Sequence, residues 1–148
     1  MSLLGLATAT PGRAQVLGEP VLVEGRCDQK SGVRIGDSPT STFGCDVGII
    51  TRSDRGTVLF QFTDKAGEDG RILGFAGTLE GKQSLGADPI QVMAVERIYL
   101  KLGGVPIVAD RGTCFLNWKG KIATSAVCGA VGDVNGTRIE ARVMVEAK

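Results

Sequence analysis

The apolar residues of this chain come in short runs, and turn-forming residues interrupt them about every 8 to 12 positions, the spacing of an all-β fold. From Pro20 onward the runs read as strands: Pro20–Cys27, Cys45–Thr51, Thr57–Thr63, Arg71–Leu79, Thr113–Trp118, Lys121–Val131 and Thr137–Ala147. Between them stand Ser53-Asp54-Arg55-Gly56, Gly67-Glu68-Asp69-Gly70 and Asp133-Val134-Asn135-Gly136. Gly, Asn and Asp accept the left-handed backbone that tight reversals need, and Asn-Gly is the strongest short hairpin signal. The 22 glycines have no three-residue period and fall between the apolar runs, so they read as turn residues.

Pro89–Leu102 carries two conflicting signals. Asp88 before Pro89, with Gly103-Gly104 after Leu102, marks a capped helix. Wound as a helix, however, the apolar residues spread nearly all round. At period two, Ile90, Val92, Ala94, Ile98, Leu100 and Leu102 share one face and only Glu96 is out of place. The Val and Ile content adds to the case for a strand. The expectation is an antiparallel sandwich or barrel of roughly eight to nine strands, forming one domain over 16–148.

Four cysteines, Cys27, Cys45, Cys114 and Cys128, lack the close spacing of zinc ligands, and the chain has no histidine. An even set of this kind predicts disulfides formed in an oxidising compartment. Of the three possible connectivities the sequence-local one is expected, Cys27–Cys45 and Cys114–Cys128. In the chain-entropy model each would contribute about 3 kcal/mol. The second pair has a geometric condition. If Lys119-Gly120 is a two-residue turn, Cys114 faces Ser125, so a bulge or longer loop is needed to reach Cys128.

Residues 1–15, MSLLGLATATPGRAQ, are small and apolar, and Gly12-Arg13-Ala14 offers small residues at the −3 and −1 positions of a cut before Gln15. They read as a signal-peptide remnant or a flexible N-terminus. With the cysteines, this gives a periplasmic or secreted location as the expectation. No apolar run approaches the ~20 residues that span a bilayer as a helix.

Several chemistries are excluded or weak. Without histidine there is no Ser-His-Asp or Cys-His catalysis and no histidine-ligated metal. Lys121 and Ser125 share a strand face, but such a base must be a desolvated lysine, and Lys121 follows a turn where water is plentiful. Most of the 16 acids stand in turns; Glu96 alone lies on an otherwise apolar face, where a bulge near Glu96-Arg97 would swing it into solvent. Asp64–Gly70 lacks the alternating acids of a calcium loop, and Asn135-Gly136-Thr137, a glycosylation sequon, is explained as a turn. The net charge of +1 and the scattered cations show no nucleic-acid-binding stripe. No catalytic residue, metal site or cofactor is expected.

One segment is left without a structural reason. Asp28–Gly44 (DQKSGVRIGDSPTSTFG) is long, polar and enclosed by Cys27 and Cys45. Loops of this length are usually functional or disordered, and a covalent base lowers the entropy lost on binding; a connection without function is the other reading. Its candidate contact residues are Lys30, Arg34 and Asp37, with Phe43 as an anchor; Val33–Ile35 can also form a short edge strand. The expected function is a non-enzymatic binding or inhibitor-type module acting through this loop on a protein or small-molecule partner. A small barrel carrying an apolar ligand is the alternative, and a carboxylate hydrolase comes third.

Overall fold

The computed structural model describes residues 18–64, 71–80, 85–101 and 104–148. The signal-remnant segment, the turn at 67–70, most of the acidic loop at 64–70, and Leu102 and Gly103 lie outside the described residues. The described chain is all-β. Its ten strands are β1 (Val21–Glu24), β2 (Gly32–Ile35), β3 (Ser41–Thr42), β4 (Val47–Arg52), β5 (Val58–Thr63), β6 (Leu73–Leu79), β7 (Ile90–Tyr99), β8 (Ile107–Lys119), β9 (Ile122–Val134) and β10 (Thr137–Glu146). They form one antiparallel sheet in the order β1-β4-β5-β6-β7-β8-β9-β10-β2-β3.

The sheet is curled into a half-barrel, and its two margins meet. β2 pairs with the first half of β10, from Ile35 opposite Ile139 to Gly32 opposite Arg142. Further along β10, Cys27 bridges to Val145, Asp28 N–H donates to Met144 O at 2.8 Å and Lys148 N–H donates to Glu24 O at 3.1 Å. β1 and β2 therefore lie end to end along β10, interrupted by a turn at Asp28–Ser31, where Ser31 N–H donates to Asp28 O.

The turns follow the residues that make them. Asn135 (φ 50°) and Gly136 (φ 85°) form the two-residue loop between β9 and β10. Gly56, at φ 83°, closes the β4–β5 turn, its N–H donating to Ser53 O. The β8–β9 hairpin differs from its expected form. The loop is Gly120-Lys121, with Gly120 at φ 63°, because Lys119 pairs with Ile122. That is one residue later than Lys119-Gly120. A bulge between Asn117 and Trp118 adds a further offset, and together they bring Cys114 opposite Cys128.

Both expected disulfides are present, Cys27–Cys45 and Cys114–Cys128, with Cα separations of 4.9 and 4.1 Å. The first joins the turn after β1 to the start of β4; the second crosses between β8 and β9 inside the sheet. Cystines are sustained where thiols are not kept reduced, which places maturation in an oxidising environment. No helix among the described residues is long and apolar enough to cross a membrane.

Pro89–Leu102 is a strand where described, but its faces are not those of the simple alternation. Gln91, Met93 and Val95 point inward, as does Ile98, and the register shifts between them on both sides. Glu96 is the extra residue, exposed, accepting a hydrogen bond from Thr78 Oγ1 at 3.1 Å. The bulge inverts the parity, so Ile90 and Ala94 face out. Gln91 is 1% exposed yet satisfied, its Oε1 accepting from Trp118 Nε1 and Gly86 N–H, both at 2.8 Å.

The inward residues form one contiguous core around Phe60, Phe62, Phe75, Met93, Ile98 and Leu116, all fully buried. Phe62 and Phe75 meet edge to face at 6.1 Å, the orientation ring quadrupoles favour.

Candidate functional site

The segment enclosed by Cys27 and Cys45 is not a free loop. It contains β2 and β3, which pair as a short hairpin. Ser31 is 2% exposed, and its Oγ accepts a hydrogen bond from Met144 N–H at 3.0 Å. Phe43, expected as a surface anchor, is 5% exposed and belongs to the core, with the Arg71 guanidinium 5.6 Å from its ring centre. The reason is strand parity: Phe43 N–H donates to Ser31 O, which continues the β2–β3 ladder and turns the ring inward. The segment therefore has a packing duty that its polar composition hides. Lys30, Arg34 and Asp37 are exposed, as expected.

Where these residues sit is set by the pairing of β2 with β10. On the outer face, register places Arg111 of β8, Val131 of β9, Glu140 of β10 and Arg34 of β2 in one row across the strands. The next row holds Thr113, Gly129, Arg142 and Gly32, and the one after it Phe115, Val127 and Met144. The middle row has glycine at two of its four positions, so it is a trench between the other two.

The lining confirms this. One cleft is bounded by Arg111, Thr113, Phe115, Val127, Gly129 and Arg142. A second, sharing Gly129, Val131 and Arg142 with it, runs on to Lys30, Arg34 and Thr40. A third shares Arg34 and Glu140 and reaches Asp37 and Arg138. Through these shared residues the three clefts adjoin on one face as a groove. Its β8–β9 part sets Phe115 and Val127 beside Arg111 and Arg142, and its β10–β2 part holds Lys30 and Arg34 with Glu140.

Two local devices build the groove. The first is a bulge at Asp110: Ala109 pairs with Gly132 and Arg111 with Val131, so one residue is left over. Without it Arg111 would share the inward side of Ala109; bulges re-aim side chains in this way. The second is Gly129. Several other glycines are imposed by close approach: a Cβ at Gly25 would lie 1.9 Å from Glu146 O, one at Gly77 1.8 Å from Ala94 O, and one at Gly112 2.5 Å from Ala130 Cβ. At Gly129 the nearest atom, Ala141 O, is 4.0 Å away. Glycine weakens a strand interior, and nothing in the packing requires it at this position. What it does is leave the groove floor open.

The electrostatics are one-sided. Lys30, Arg34, Arg111, Arg138 and Arg142 outnumber Glu140, Asp37 and Asp133, the last paired across the strands with Arg138. Glu140 is engaged by Arg34 at 3.7 Å and Arg138 at 3.6 Å. Among the described residues Arg111 and Arg142 have no carboxylate within ion-pair distance. Cations that are scattered in the sequence thus gather on one surface.

The other candidate chemistries do not assemble. Lys121 is in the hairpin loop, and the Ser125 hydroxyl accepts from Asn117 Nδ2 at 2.7 Å. Among the described residues no group of three or more acids and cysteines converges as a metal site.

Lys30, Arg34 and Asp37, the expected contact residues, line these clefts together with Arg111, Gly129 and Arg142, which the sequence does not single out. One signal was available: alternation along β10 puts Arg138, Glu140 and Arg142 on one face. Comparison with protein families, with curated proteins and with solved structures finds no match to this chain. What fold and site define is a disulfide-stapled curled sheet with a cationic groove on its outer surface.

Proposed function

We propose that the protein is a non-enzymatic binding module of the periplasm or the extracellular space. Its recognition surface is the exposed side of the disulfide-closed segment together with the outer groove of β8, β9 and β10. The observation that supports this is continuity: Lys30 and Arg34 of the segment line the same cleft as Gly129 and Arg142 of the sheet. The alternative of an apolar-ligand carrier has less support, because the inward positions hold Phe60, Phe62, Phe75 and Leu116 in a contiguous core.

The test is charge reversal on the exposed positions only, since replacing the whole segment would remove Phe43 and Ser31 from the packing. The double variant Lys30→Glu, Arg34→Glu should melt like the parent, because exposed substitutions usually change stability within about 0.5 kcal/mol. Its capture of partner from the native source should fall at least about tenfold, since each reversal exchanges attraction for like-charge repulsion. Unchanged capture would remove the segment from the interface.

A further inference from the structure

We infer that the groove's occupant is an acidic peptide segment lying extended across β8, β9, β10 and β2, with an apolar side chain at the Phe115 end and carboxylates facing Arg142 and Arg111. This rests on the reading of the outer surface as a binding face and specifies what that face takes.

The dimensions come first. From β8 to β2 there are three inter-strand spacings, about 14 Å in all, which about four residues of extended peptide cover. The groove crosses the strands, and its floor is made of sheet positions whose backbone is already paired, so recognition falls to side chains and not to strand addition.

The lining then selects the chemistry. Phe115 is 42% exposed although it stands mid-strand, and with Val127 it offers an apolar seat. The Gly129 floor permits close approach, the second use of a strand glycine besides tight packing. Arg142 stands on the trench and Arg111 on its rim, neither with an acidic partner among the described residues. Guanidinium groups pair with carboxylates in a bidentate, charge-assisted geometry.

A uniform polyanion fits less well. Glu140 stands in the same row as Arg111 and Arg34 and would repel a chain charged at every unit. Aliphatic Val127 and Val131 return nothing for the hydration such a chain would lose. A peptide that alternates acidic and apolar residues can set apolar side chains against Phe115 and Val127 and carboxylates against Arg111 and Arg142, and its amide N–H groups can donate to Glu140.

The probe is a fluorescein-labelled hexapeptide alternating glutamate with leucine or phenylalanine, titrated into the disulfide-intact protein by anisotropy. Binding should weaken as salt rises. Arg142→Ala and Arg111→Ala should each weaken it about tenfold or more, the loss of a charge-assisted hydrogen bond. Gly129→Leu, which fills the trench without a backbone clash, should abolish it, while Arg55→Ala, a cation in the β4–β5 turn, should change it less than about twofold as a rim-free control. If Gly129→Leu does not fold, the exchange Arg142→Glu with an arginine-for-glutamate probe replaces it, and recovered binding supports the assignment.

Absence of binding at millimolar probe, or full binding by Gly129→Leu, overturns the inference. So does tighter binding of a sulfated polysaccharide or of single-stranded DNA than of the peptide. Capture of native partner that still depends on Lys30 and Arg34 would then leave the binding face standing. Capture that ignores those two residues removes both.

Discussion

On β4, β5 and β6 the inward positions hold the phenylalanines Phe60, Phe62 and Phe75 with Ile50 and Leu73, whereas on β8, β9 and β10 they hold the Cys114–Cys128 cystine, the alanines Ala126, Ala130 and Ala141, and the aliphatics Leu116, Ile139, Val143 and Val145. The outer faces differ as well. Leu22, Ile49, Leu59 and Gln61 cover the first wall, and Arg111, Arg138 and Arg142 mark the second. The phenylalanines of one wall and the cystine, alanines and aliphatic side chains of the other fill one contiguous core. The wall that supplies most of the buried aromatic surface is therefore not the wall that carries the groove. If the groove binds as proposed, the aromatic packing and the binding face belong largely to different strands.

That separation can be broken by measurement. Phe60→Ala should have the largest effect, lowering unfolding free energy by about 3 to 5 kcal/mol in urea titrations, from lost burial plus the cavity left behind. A loss below 1 kcal/mol would show that the aromatic wall is loosely packed. Replacing Cys114 and Cys128 together by alanine should cost about 2 to 4 kcal/mol and lower the melting temperature, since the second wall is held in part by its covalent link. A null result would transfer that role to the alanine packing.

Ala126→Leu should cost about 1 to 3 kcal/mol, because a larger residue on the second wall meets a core already filled from the other side. If it were stabilising, the two walls would not be in full contact. Arg142→Ala and Glu96→Gln should be the mildest, each within about 0.5 kcal/mol. For Arg142 the contrast is with its expected effect on peptide binding. For Glu96 the amide oxygen can still accept from Thr78, so a shift of several kcal/mol would mean that the bulge does not hold it in solvent.

Much of this architecture is legible in the residues, and the failures have physical causes. Asn135-Gly136, Ser53–Gly56 and the two local cystines were expected from turn chemistry and cysteine spacing, and they are present. The faces of β7 were misassigned before the bulge because one added residue inverts the alternation, and because Gln91, a polar residue, occupies an inward position. β8 begins at Ile107, ahead of the expected Thr113, since Asp110 and Gly112 resemble loop residues while serving as a bulge and a close approach. The half of the groove on Asp28–Gly44 was found from length and polarity. Arg111, Gly129 and Arg142 share a face through the β8–β9 and β9–β10 hairpins and the Asp110 bulge, and only the pairing of β2 with β10, between distant parts of the chain, brings Lys30 and Arg34 beside them.

The meeting of the two margins also sets the order in which the molecule can assemble. Ser31 and Met144, hydrogen-bonded at the seam, are separated by 113 residues, whereas most pairings join strands adjacent in the chain. Loop-closure entropy makes such distant contacts slow to form. The meander from β4 to β10 can zip hairpin by hairpin and β1 can join β4, but β2 must wait for β10. Until the last residues of the chain arrive, the early strands keep an unpaired edge, and that interval is when the protein is most open to pairing with a neighbouring copy.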